Sequence, residues 1–396
     1  MSIVQQEAKT RILLQLTQSI NRNAPVGELL EWFRNCLQQE FGIKRCVIFL
    51  RKNNQWEAVI QDTSAEIAYL TEQYTHEKNV CPVDEKQKLF QYGFRLFIPV
   101  YHKDIPLALL FLGWDEAFSN GRDIDFITTL SHLLMVAIEN KRLYKAQLEK
   151  NSLNKEIQLA ADIQKKLLPS DLPYDKFLKV SGFYLPYQEV GGDYYDWIPL
   201  NQHEYLFCMA DISGKGVPAA LLMSNMQASL RSLVGFTHNL KDLIIELNKR
   251  IWESAHGEQF VSVFIGKINL RSQQITTINA GHCPGLYMEN GKLHFLQKGT
   301  TLLGIQEHPG SIDVELREYS GEVGILLYTD GLSELEAHKD KPELFTSIAN
   351  NIFPNTYKSP DKLIHQIAEI LKKMTHQKEL TDDIALLSIY VNDLFF

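Results

Sequence analysis

Aspartates stand at the ends of apolar runs in four places in the second half of the chain. They are "EVGGDYYDW" with Asp193, "EYLFCMADISGKG" with Asp211, "GILLYTDGLSE" with Asp330 and "ELTDDIALLSI" with Asp382 and Asp383. An apolar run of this kind reads as a buried strand, and ionised carboxylates buried near one another are costly unless cations neutralise them. Oxygen ligands without Cys or His select Mg²⁺ or Mn²⁺. Gly191, Gly192, Gly214 and Gly331 beside the acids allow close backbone approach, so that carbonyls can join as ligands. Two such ions about 3.5–4 Å apart can activate water for attack on phosphorus. Taken singly, each Asp-Gly is as readily a turn as a ligand. Four in one region favour a shared site.

The stretch "CMADISGKGVPAALLMS" also has the look of a phosphate loop, and that reading fails. A P-loop needs Gly-x-x-x-x-Gly-Lys-[Ser/Thr], but Lys215 is followed by Gly216, and position 209, where the first glycine belongs, is Met209. A dinucleotide Gly-x-Gly-x-x-Gly is missing too, because Val217 to Ala220 supply no third glycine. Lys215 then reads as a solvent-exposed turn residue. The Met and Leu stripe of "AALLMSNMQASL" reads as a core-facing helix. His282 in "NAGHCP" either orients phosphate or stabilises its loop, and Asp196 is a turn or supporting residue rather than a ligand.

At 396 residues the chain predicts two or three domains of ordinary globular composition. A net charge of -8 gives no electrostatic case for nucleic acid or an anionic membrane surface. Five scattered cysteines, with no C-x-x-C and no Cys/His cluster, predict neither a disulfide framework nor a zinc site. The N-terminal "MSIVQQEAKTRILLQL" lacks a signal peptide's apolar segment, and no run of about 18 apolar residues exists to span a bilayer. The expectation is a cytoplasmic protein.

Three zones follow along the chain. In the first, "VGELLEWFRNCLQQEF" has the i, i+3, i+4 spacing of an amphipathic helix. Two hairpins come next, "RCVIFLRKNNQWEAVIQD" around Asn53-Asn54 and "FRLFIPVYHKDIPLALLFLGW" across Lys103-Asp104. "RDIDFITTLSHLLMVAIENKRLY" closes the zone as a long helix. This order resembles a GAF sensor domain, an α/β fold, over residues 10–145. Its short middle, residues 62–90, carries no ligand signature, and His76 and Cys81 do not have the spacing of a haem or metal site. A small-molecule ligand and a purely structural, dimerising role both stay open.

The second zone, residues 138–168, is a charged helix. Leu143, Ala146, Leu153, Ile157, Ala160 and Leu167 fall on one 3-4 seam, interrupted by Lys150 and Gln164, which predicts either a weak coiled coil or a solvated helix; Pro169 ends it. The third zone, residues 170–396, is β-rich with helices at about 217–234, 240–255, 342–353 and 359–374. "MENGKL" carries the Asn-Gly of a type I′ hairpin and "INLRSQQIT" a second hairpin, so antiparallel α+β layers are expected rather than βαβ units.

"LAADIQKKLLPSDLP", "GGDYYD", "ADISGKGVPAALLM", "INAGHCPGLY", "LLGI", "YTDGLSE" and "TDDIALL" occur in that order. Residues 155 to 391 thereby resemble the PPM-type (PP2C-like) serine/threonine phosphatases, in the bacterial branch typified by the stage II sporulation E and sigma-B regulator phosphatases. The resemblance implies an α-β-β-α sandwich with a two-ion Mn²⁺ or Mg²⁺ site at one end. It implies Asp211 as the bridging carboxylate, the Ile212 carbonyl beside it, Asp330 and Asp382 completing one shell, and Asp193 reaching the other ion through water. Asp383 is the second choice for the place given to Asp382. The implied reaction is direct attack of water on phosphoserine or phosphothreonine. Two departures stand out. "YQEVGGD" lacks the arginine that eukaryotic members place before the first acid, and Ser213 stands where they carry a histidine. The expected whole is a GAF-regulated phosphatase, homodimeric through the GAF domain and helix, acting on a phosphorylated STAS-type anti-sigma-factor antagonist. A catalytically silent scaffold and a cyclic-nucleotide-binding regulator are the competing readings.

Overall fold

Runs that are apolar on both faces build the first sheet. The computed structural model describes residues 3–52, 55–61, 74–102, 104–114, 121–237, 239–334, 344–375 and 380–392, in two compact units, Met1–Ser152 and Leu153–Phe396. In the first unit, β1 (Arg45–Lys52), β2 (Gln55–Gln61), β3 (Cys81–Pro82), β4 (Leu96–His102) and β5 (Ile105–Gly113) pair antiparallel in the order β2-β1-β5-β4-β3. Both predicted hairpins form, with Lys52 opposite Gln55 and His102 opposite Ile105; Asn53, Asn54 and Lys103 lie outside the described residues. Ile48, Ile98 and Leu110 face the helices Ile3–Asn21 and Val26–Phe41 through Leu16, Phe33 and Leu37. Their neighbours Val47, Phe49, Phe97 and Phe111 face the other way, onto Tyr74 and Phe94. Strand side chains alternate between faces, so a sheet covered on both sides reads as continuous apolar sequence.

One helix, Gly121–Lys165, contains both the predicted closing helix and the charged segment. The predicted seam is not what this helix buries within the chain. Leu143 and Leu153 are more than half exposed and Ala160 is exposed, whereas Ala161 and Gln164 are buried. Gln164, read from sequence as an interruption, is 6% exposed because its amide is paired with backbone. Among the described residues no helix is long and apolar enough to cross a membrane.

The second unit stacks two sheets. One holds β7 (Tyr194–Pro199), β8 (Glu204–Ile212), β9 (Val261–Asn269), β10 (Gln274–Ala280), β13 (Gly299–Thr300) and β14 (Glu315–Glu318), ordered β13-β10-β9-β8-β7 with β14 also on β10. The other is ordered β12-β11-β15-β16-β6, from β6 (Leu178–Leu185), β11 (Gly285–Glu289), β12 (Lys292–Leu296), β15 (Val323–Tyr328) and β16 (Ile384–Val391). Phe207, Met209 and Phe264 of the first sheet pack on Tyr287, Ile325, Leu327 and Leu387 of the second. Helices Val217–Leu233 and Leu240–Ala255 cover the outer face of the first sheet, and Pro360–Thr375 covers that of the second. The unit is thus helix, sheet, sheet, helix. The predicted Met and Leu stripe faces the core through Ala219, Leu222, Met223, Met226 and Leu230. The Asn-Gly turn is as predicted, with Asn290 and Gly291 at φ 48° and 74° and Glu289 opposite Lys292.

Strands β7, β13 and β14 were not anticipated, and two acid positions need correction. Asp193 and the Asp382-Asp383 pair stand just before β7 and β16 rather than after a strand. Antiparallel neighbours run in opposite directions, so the starts of β7 and β16 lie at the same end of the sandwich as the finishes of β8 and β15.

Candidate functional site

Register alone brings the acids together. Tyr194 pairs with Ala210 across β7 and β8, so the next residues out are Asp193 and Asp211. In the other sheet Tyr328 pairs with Leu386, and the ladder extends through Thr329 N–H donating to Ala385 O (3.2 Å). Asp330 opens the helical turn Asp330–Ser333, and Asp382-Asp383 lead into β16. Thr329 fastens the two sheets to each other. Its fully buried hydroxyl donates to Asp193 Oδ2 (2.6 Å) and accepts from Ala385 N–H (2.9 Å). Nothing in "YTDG" marked that threonine except its place beside an acid.

The cluster is electrostatically strained. Asp193 is 2% exposed, and burial, followed by the charge of Asp211, holds its carboxyl well above the usual range. Burial and then the charges of Asp330 and Asp382 push Asp211 up to about 7. Asp330 is raised by burial, then by Glu334 and Asp382. Burial also raises Asp383 against opposing backbone hydrogen bonds, chief among them those from Tyr187 and Gly192. Those bonds use both of its oxygens, Oδ1 accepting from Tyr187 N–H (2.7 Å) and Oδ2 from Gly192 N–H (2.6 Å). Asp382 differs: its Oδ2 pairs with Lys215 Nζ at 2.8 Å.

Lys215 is exposed, as expected from sequence, yet its ammonium is committed to the cluster. It also donates to Thr381 O (2.5 Å) and lies 5.1 Å from the centre of the Tyr187 ring, and among the described residues it is the salt-bridge partner of this cluster. Close packing explains two of the glycines. A Cβ on Gly331 would strike the Asp383 carbonyl, and one on Gly192 would sit 3.0 Å from Ile212 O.

The blander expectations mostly hold, with different partners. His282 braces its loop: its N–H donates to Asn279 Oδ1 (2.7 Å), and Asn279 Nδ2 donates to His282 O (2.9 Å). Its Nδ1 is 2.7 Å from Ser262 Oγ, and burial lowers its pKa to about 4, so the ring is neutral at pH 7. Ser213 Oγ accepts from Phe260 N–H (2.8 Å). Asp196 is completely buried and belongs to an ion pair that sequence reading missed. Arg231 Nε and a terminal guanidinium N–H both donate to it at 2.8 Å, alongside Trp197 N–H (2.8 Å) and Tyr194 Oη–H. Arg231 sits 35 positions away, where no local pattern points to it.

Among the described residues, no three carboxylates converge closely enough to hold one ion as they stand. Their chemistry nevertheless fits hard divalent cations. The donors are oxygen only, several are buried, and one lysine stands against an excess of acids whose protons are held above the normal range. A pH prediction follows for the metal-free protein. Asp211 titrates near 7 when folded and near 3.8 when unfolded, so the native state binds the extra proton. Stability then falls as pH rises from about 4 through about 7. The melting temperature in chelator should be higher at pH 5 than at pH 8, by about 2–4 °C per kcal/mol, and Mn²⁺ should remove the difference. An apo protein equally or more stable at pH 8 contradicts this assignment of strain.

Two face-to-face sheets lie between helical layers, with carboxylates gathered at one end, which is the arrangement that the sequence resemblance implied. Residues 201–392 match the family described as Stage II sporulation protein E (SpoIIE). Among curated relatives, phosphoserine phosphatase RsbU of Bacillus subtilis (strain 168) is 25% identical over 240 residues, covering 59% of this chain and 70% of RsbU. Phosphoserine phosphatase RsbP of the same organism is also 25% identical over 240 residues, covering 58% of this chain and 55% of RsbP. The SiaA-PP2C domain of Pseudomonas aeruginosa is a solved structure with TM-score 0.49 and 17% identity, covering 61% of this chain and 97% of that one.

Proposed function

We propose that the chain is a metal-dependent protein serine/threonine phosphatase that hydrolyses phosphoserine or phosphothreonine with water as the direct nucleophile. The observation that carries this reading is the meeting of Asp193 and Asp211 from one sheet with Asp330 and Asp382 from the other, at one end of the sandwich. Such a cluster is costly to the fold unless cations are supplied. In this reading Asp211 and the Ile212 carbonyl would be among the groups that hold Mn²⁺ or Mg²⁺. Asp330, Asp382 and Asp193 would complete the set that holds the ions. Asp383 keeps its oxygens on Tyr187 and Gly192 N–H and acts by holding their loop. When bound, the ions supply a water of lowered pKa and positive charge against the phosphoryl oxygens.

The chain's own residues define the rest. Lys215, beside Asp382 at the mouth of the cluster, offers an ammonium to a phosphate dianion in a chain that lacks the arginine before Asp193. Ser213 Oγ accepts from Phe260 N–H, and a serine hydroxyl is too weak an acid to replace a histidine, which leaves water as the proton source for the departing serine oxygen. The names of RsbU and RsbP support phosphoserine as substrate. We assign the N-terminal unit the role of a GAF-like regulator with a possible small-molecule ligand, the Gly121–Lys165 helix that of a homodimer contact, and a phosphorylated STAS-type protein that of substrate. These assignments rest on the sequence resemblances.

The full chain, stripped with chelator, should release phosphate from a phosphoserine-bearing STAS protein only after Mn²⁺ is restored. Turnover unaffected by chelator defeats the metal-dependent reading. Mn²⁺ binding without hydrolysis of either the STAS phosphoprotein or an aryl phosphate favours the silent scaffold.

A further inference from the structure

We propose that Gln164 is a positioning residue for the site: its side-chain amide clamps the Gly191 backbone and thereby sets where Asp193 stands. Glutamine is seldom buried, and a buried amide needs partners for both its donor and its acceptor. Gln164, 6% exposed in the last turn of the Gly121–Lys165 helix, finds both on a single residue. Its Nε2 donates to Gly191 O (2.6 Å), and its Oε1 accepts from Gly191 N–H (3.2 Å). Two bonds to one residue fix the orientation of that backbone as well as its position.

The far side of the loop is equally constrained. Asp383 accepts from Gly192 N–H and from Tyr187 N–H. A Cβ on Gly191 would collide with Tyr184 Oη and the Asp383 carboxylate, and one on Gly192 would meet Ile212 O at 3.0 Å. Residues 191 and 192 thus run between Gln164, Asp383 and the Ile212 carbonyl, and the next residue is Asp193. Releasing the Gln164 end leaves the loop held from one side, so Asp193 loses its fixed relation to Asp211 and to Ile212 O. Partners that orient metal ligands in this way typically contribute about 10–100-fold in metal affinity. The inference rests on the two-ion reading above.

The test is Mn²⁺ binding by calorimetry to the chelator-treated full chain, at a temperature well below melting. Wild type is compared with Gln164→Met, which keeps length and helix propensity but makes neither bond. Gln164→Glu keeps the acceptor and loses the donor. Expected is an Mn²⁺ Kd weakened about tenfold or more in Gln164→Met, with a smaller weakening in Gln164→Glu. Exchange of the Gly191 amide with deuterium should be faster in both. If Gln164 only satisfies a buried peptide group, the variants will melt earlier yet bind Mn²⁺ within twofold of wild type, and the proposal is overturned. Should Gln164→Met not fold, Gln164→Glu decides by the same twofold limit. Wild-type protein that binds no Mn²⁺ instead overturns the two-ion reading, and this inference with it.

Discussion

Asp211→Asn is expected to abolish turnover while making the metal-free protein harder to melt. The change keeps the side chain's shape and removes one negative charge from the centre of the cluster, where burial and the charges of Asp330, Asp382 and Asp383 all oppose ionisation. Relief of that repulsion stabilises the fold progressively as pH rises from about 4, and fully above about pH 7. At pH 5 folded wild-type Asp211 is protonated while the unfolded chain's is already ionised, so the variant's lead should be smaller than at pH 8. At pH 8 without metal the variant should lead by a few degrees, at roughly 2–4 °C per kcal/mol. Turnover with saturating Mn²⁺ should fall by about 10³ or more, the upper end of what one lost electrostatic contact to a transition state costs. An enzyme that keeps a tenth of its activity, or a variant no more stable at pH 8, removes Asp211 from the centre of the site.

Arg231→Met should act in the opposite sense, costing stability and sparing the chemistry. Asp196 is completely buried and takes two 2.8 Å hydrogen bonds from the Arg231 guanidinium. Removing one partner of a buried pair strands the other's charge, typically at about 3–5 kcal/mol. Arg231 is itself partly open to solvent, and water entering its place should hold the loss near 3 kcal/mol. The melting temperature should then fall by roughly 6–12 °C. Restoring balance with Asp196→Asn in the same chain should recover much of that loss, because no charge then remains to be desolvated. Mn²⁺ affinity should stay near wild type, since neither residue touches the carboxylate cluster. A fall of less than about 2 °C, or no recovery in the double variant, denies the pair its structural role.

The sequence carried the acids, the turns and the helix faces because each is a local signal. Asn290-Gly291 selects a hairpin by its own backbone preference, and the stripe from Ala219 to Leu230 follows the helical period. It also carried the fold of the C-terminal unit, through motifs whose residues lie in order along the chain. The antiparallel register that joins Asp193 to Asp211 and Asp330 to the Asp382-Asp383 pair was implied only through resemblance, since no local pattern states which strand neighbours which.

Tertiary structure decided the use of each polar group. Asp382 and Asp383 are adjacent and chemically identical, yet one faces Lys215 and the other is spent on N–H groups 191 and 196 positions away. Thr329 reaches Asp193 across 136 positions, and Gln164 reaches Gly191 across 27. Gln164 looked like a flaw in an apolar seam because periodicity counts only what a residue does for its own helix. A buried amide or carboxylate is placed by hydrogen bonds of definite length and direction, and those partners exist only after distant segments have packed. Apolar pattern and turn chemistry therefore determined which residues could be buried, and the packed sandwich alone decided which carboxylates remained facing the site.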